Sequence, residues 1–175
     1  MKKIALAISV MATLAFAACN NKTDTPDHDA LAHTIDSIET PLMMEAQVAS
    51  IDTAKGRQLV ELYVQFADAF PQDSLAATYL ARAASVSNGM GNIDDMVEYF
   101  DRVINDYPDY EHLDECYYVK GIALDNAGRR DEARETYQAF LDLFPDHFLA
   151  EDIRKALPLL DKSDQWLIDS LPKKQ

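Results

Sequence analysis

The chain has 175 residues, 48% of them apolar, which suits one domain with a core of its own and is too much for a disordered chain. Lys and Arg number 16 against 30 Asp and Glu, a net charge of −14, so the phosphates of a nucleic acid and the anionic heads of a membrane both repel it. Five Gly and seven Pro are too few for a strand-rich fold with many tight turns.

Lys2 and Lys3 open the chain, and an unbroken small and apolar run follows from Ile4 to Ala18. A bilayer crossing takes about 20 apolar residues. This run is shorter and ends in small residues, so residues 1–18 read as a secretory signal peptide. The other reading is a non-cleaved anchor helix, but the run is short for one and lacks a second charged flank. Phe16-Ala17-Ala18-Cys19 resembles the lipobox of bacterial lipoproteins, with Phe16 where that family prefers Leu. The resemblance implies cleavage before Cys19 and lipidation of Cys19 with three acyl chains. More than one chain anchors stably, where a single chain binds marginally. Loss of Lys2 and Lys3 would take the net charge from −14 to −16. Asn20 stands where an Asp would retain a lipoprotein at the inner membrane, which implies the outer membrane, facing the periplasm.

Residues 19–30 are polar, carry Pro26 and show no apolar periodicity. They read as a tether in which His28 and Asp29 are solvated. With Cys19 lipidated, Cys116 has no disulfide partner in this chain and reads as a small buried hydrophobe. His112 lies one helical turn before it, but two ligands do not make a metal site.

A repeat occupies residues 31–162. The pairs Phe70-Pro71, Tyr107-Pro108 and Phe144-Pro145 are spaced 37 residues apart. Tyr63, Phe100 and Tyr137 keep the same phase, as do Phe66, Val103 and Phe140. Leu80 pairs with Tyr117, Ala84 with Gly121, and Gly91 with Gly128. Within each unit the apolar residues follow helical spacing, as in Ala133, Tyr137, Phe140 and Phe144. Gly91 and Gly128 make the turn inside a unit. Asp94, Asp95, Asp131 and Glu132 suit the first turn of a helix. The prolines stop it, because the residue before Pro avoids helical angles. Each unit is therefore helix, turn, helix, stop, and one such pair must stack to cover its apolar side.

The units run at about 41–71, 74–108 and 111–145. The first is degenerate. Its second helix spans about Ala54 to Phe70, and its first starts at Pro41 behind a Thr40 cap, with a short helix Asp29–Glu39 before it. A cap follows at 147–160, with Asp146 capping a helix that Pro158 ends or kinks. In the tail, 163–175, a short helix carries Trp166 and Leu167 onto the cap; a free partner-binding peptide is the alternative. The chain is thus expected to be all-α, a short α-solenoid of antiparallel helix pairs with a C-terminal capping helix.

The last unit, with Tyr117, Gly121, Leu124, Ala133, Tyr137 and Pro145, resembles the tetratricopeptide repeat. It departs at Lys120 and Phe140, and the preceding unit departs at Ser87 and Met96. The family repeat is about 34 residues, and the extra residues here fall after each proline. That spacing resembles a subset of bacterial envelope proteins, which includes barrel-assembly lipoproteins and coordinators of cell division. The resemblance implies a protein-binding scaffold without cofactor or metal. Its envelope partner would meet the first helix of each pair at Thr78, Ala81, Ser85 and Asn88, then at Glu115, Tyr118, Ile122 and Asp125. These residues are otherwise ordinary helix surface. The Lys, Arg and Asn that hold a carboxylate terminus in the chaperone-docking members are missing, so a basic or apolar partner fits better. No catalytic motif is present, and the four His (His28, His33, His112, His147) are scattered. An accessory role in outer-membrane protein assembly is the alternative function, and an enzyme with an unrecognised site is the remaining one.

Overall fold

A computed structural model describes residues 25–46 and 52–162. The signal, Cys19 and the tail with Trp166 and Leu167 lie outside the described residues. Those residues form seven α-helices and no strand: α1 His28–Ala46, α2 Thr53–Ala69, α3 Ser74–Gly89, α4 Ile93–Asp106, α5 Leu113–Asn126, α6 Arg130–Leu143 and α7 Ala150–Ala156. A 3₁₀ turn, Leu157–Leu159, follows α7. Each helix packs on its neighbours in the chain, as the stacked pairs require.

The punctuation falls where the repeat places it. Helices α2, α4 and α6 each stop at the aromatic residue before proline, and Phe70, Tyr107 and Phe144 share φ near −130° and ψ near 60° (58°, 61° and 55°). Gly91 and Gly128 take φ of 79° and 75°, which an L side chain resists. At both turns one further hydrogen bond closes the preceding helix, from Asn92 N–H to Ser87 C=O and from Arg129 N–H to Leu124 C=O. Asp52 and Asp73 cap α2 and α3, accepting from Ala54 N–H and Leu75 N–H.

The residues in phase are the core. Tyr63, Phe100 and Tyr137 are buried, and so are Phe66, Val103 and Phe140. Gly121 lets α5 lie against α6, where a Cβ would overlap the Tyr137 ring. Ser87, in phase with Leu124, is fully buried with no hydrogen-bond partner among the described residues.

Four local expectations are corrected. Pro41 does not start a helix. It lies inside α1, because Leu31, Ile35 and Leu42 form one buried stripe that carries the helix past it. The tether ends earlier than Ala30, since α1 begins at His28 and the Asp27 carboxylate accepts from Ala30 N–H. His28 is not a solvated tether residue: its ring lies 5.1 Å from Phe66 and 5.0 Å from Phe70, and its Nε2 bonds Asp73 at 3.0 Å. Asp146 does not cap the last helix. The His147 ring accepts from Leu149 N–H in that turn, and α7 starts only at Ala150.

Candidate protein-binding groove

Helices α3 and α5 are the first helices of consecutive pairs, and they flank a cleft of about 430 Å³. Thr78, Ala81 and Ser85 line it from one stripe of α3, and Glu115 faces them from α5. Asn88 and Ile122 meet in a neighbouring cleft of about 400 Å³, over Ile93 and Val119. Glu115 and Tyr118 line a third, of about 580 Å³, with His147 and Phe148 from the turn before α7. Seven of the eight expected residues therefore divide among three neighbouring hollows. Asp125 lines none of these, but with burial and Tyr118 it pushes the Tyr137 hydroxyl up to about 12, burial being the largest cause.

The first cleft holds residues that sequence reasoning missed. Arg82 sits between the turns of Thr78 and Ser85, so helical spacing was a signal for it. Tyr110 and Glu111 come from the turn after Pro108, where no periodicity points. Arg82 donates to Glu39 of α1 at 2.9 Å and lies 5.9 Å from the Tyr79 ring. Phe100 and Cys116 form the buried floor. Burial, aided by Glu115 and Asp114, pushes the Cys116 thiol up to about 12. Such a thiol stays protonated and unreactive at neutral pH, as expected of a packing residue.

The turns after the prolines also clamp the stack. Two residues past each proline stand Asp73, Tyr110 and His147. Asp73 bonds His28 of α1, and Tyr110 lines the first cleft together with Thr78 of α3. His147 lies 3.0 Å from the Asp114 carboxylate of α5. Arg129 adds a bridge between pairs, bidentate to Glu132 at 2.7 and 2.6 Å and bound to Asp94 of α4 at 2.8 Å. These contacts set the spacing of the first helices and hence the shape of the clefts.

A larger cleft, about 680 Å³, lies between α2 and α4 and is lined partly by Thr25 and Pro26 of the chain leading into α1. No helix among the described residues is long and apolar enough to cross a membrane.

The sequence pattern of the tetratricopeptide repeat family matches residues 75–110 and 115–147, the segments that fold as α3–α4 and α5–α6. No curated protein matches the chain. The match covers less than half of the chain, and both matched segments fold as packed helix pairs consistent with that repeat.

Proposed function

We propose that this protein is a lipid-anchored, non-catalytic scaffold of the bacterial envelope that binds a partner protein along α3 and α5. The observation that carries the binding surface is the row of open clefts beside these first helices, with Glu115, Tyr118 and Ile122 left at least partly exposed. Grooves of this form accept a peptide or helix through a few apolar anchors and a polar rim. The envelope setting is supported by the basic start, the apolar run and the Phe16-Ala17-Ala18-Cys19 pattern. The outer membrane is the address that Asn20 favours.

Crosslinking in cells tests the binding surface, with a photoreactive residue at Tyr118 or, on α6, at the exposed Glu135. An envelope protein identified from Tyr118 and not from Glu135 is the expected result. A barrel-assembly component would place the scaffold in outer-membrane assembly, and a cell-wall synthase would make it an adapter. Adducts from Glu135 alone would reject the groove. The anchor is tested separately: a labelled fatty acid fed to cells is expected to be incorporated into the protein and lost with Cys19→Ser, and absence of label from the unsubstituted protein would overturn lipidation.

A further inference from the structure

The cleft between α3 and α5 combines an apolar floor with an unbalanced acidic rim. Phe100, Cys116 and Val119 line it from below and Tyr110 from one side. At about 430 Å³ it is at the small end of ligand-sized pockets, which run roughly 300–1,000 Å³. It therefore has room for a long side chain or two and not for a whole helix.

Four acidic or basic side chains border it: Arg82, Glu111, His112 and Glu115. Arg82 is the cation on the rim, but its guanidinium is already bonded to Glu39 and packed on Tyr79. Among the described residues Glu111 meets His112 of the same rim, at 3.3 Å, and its side chain is 82% exposed. Glu115 pairs with no cation among the described residues. The rim thus presents two carboxylates beside an apolar slot. A long basic side chain complements that arrangement, because its methylene stem covers apolar surface while its charged end stays at the wet rim. An acidic side chain would meet like charge, and a purely apolar one would leave the carboxylates unused.

We infer that this cleft selects its partner by taking up one exposed Lys or Arg side chain, with the stem against Tyr110 and Val119 and the charge at Glu111 and Glu115. The inference rests on the groove reading proposed above and narrows it to the chemistry of one position.

Pools of fluorescent 11-residue peptides test it. Each pool has one fixed central residue, either Lys, Arg, norleucine or Glu, between random uncharged flanks. Binding of each pool to the purified protein is read by fluorescence anisotropy. The Lys and Arg pools are expected to bind about fivefold tighter than the norleucine pool, with the Glu pool weakest and the preference fading as salt rises. Glu111→Gln combined with Glu115→Gln is expected to bring the Lys pool down to the norleucine value. Glu98→Gln, an exposed substitution on α4, is expected to leave it unchanged. Equal binding of the Lys and norleucine pools, or a preference that survives the double substitution, would overturn the basic-residue inference and leave the groove standing. If no pool binds while the protein is folded by circular dichroism, the inference falls together with peptide binding in the groove.

Discussion

Gly121 and Ser87 show how a single residue decides the packing of one repeat. Ala in the middle of a helix ordinarily gains about 1 kcal/mol over Gly. At Gly121 the added Cβ overlaps the Tyr137 ring, and overpacking of this kind costs about 1–3 kcal/mol. Gly121→Ala is therefore expected to lower stability in urea unfolding, and a gain of about 1 kcal/mol would contradict the tight α5–α6 contact. Ser87→Ala should do the reverse. It removes a buried, unpartnered hydroxyl and improves helix propensity, for a gain of about 1 kcal/mol by the same measurement. Both positions were legible from the repeat, since Gly121 is in phase with Ala84 and Ser87 with Leu124. His28 was not legible. It stands in a polar stretch, and its partner Asp73 is 45 residues away, so no local pattern announces the contact. The carboxylates of Asp29 and then Asp73 raise its pKa above the ordinary 6.5. Protonation therefore favours the folded state. The contribution is full below about pH 6.5 and is lost as the pH rises through the folded value. A ring titration by NMR should place His28 above 6.5, and Asp73→Asn should lower it; a midpoint at or below 6.5 would contradict the clamp.

Among the elements, α2 to α6 follow their sequence signals closely, and the two ends do not. The aromatic-Pro stops and the Gly turns are local chemistry, so they could be read without knowing what packs against what. At the N-terminal end, Thr40-Pro41 is a good local start signal, yet α1 runs through it. Tertiary packing outweighs the signal: Leu31, Ile35 and Leu42 lie on both sides of the proline and are all buried in the cluster formed with Leu59 and Tyr63. Interior proline costs a helix about 3 kcal/mol, offset in part by its stiffening of the unfolded chain. Pro41→Ala is thus expected to raise stability by about 1–2 kcal/mol, seen as a higher urea midpoint. A loss would indicate that α1 breaks at this point. At the other end, Asp146 resembles an N-cap, but the turn Pro145–Leu149 carries His147 back to Asp114 and delays α7 to Ala150.

At the scale of the molecule, the stack is held by neighbour-to-neighbour contacts, as in other repeat architectures. The turns after the prolines, where the extra residues of the 37-residue period lie, add contacts such as His147 to Asp114, beside the Arg129–Asp94 bridge and the direct packing of α2 on α3 and α4 on α5. The period was visible as a number, but its purpose was not, because turn residues carry no hydrophobic phase. The candidate site was legible to a similar degree. The register of the resembled repeat pointed to the stripes of α3 and α5, whereas the division into three hollows depends on Tyr110, Glu111 and the His147 turn. The face proposed to bind a partner is the one formed by α3 and α5. Amide hydrogen exchange of the purified protein, with and without the envelope protein recovered by crosslinking, tests it most directly. Slowed exchange is expected in α3, α5 and the Pro108–His112 turn. Slowing confined to α2, α4 and α6 would contradict it and assign binding to the opposite face.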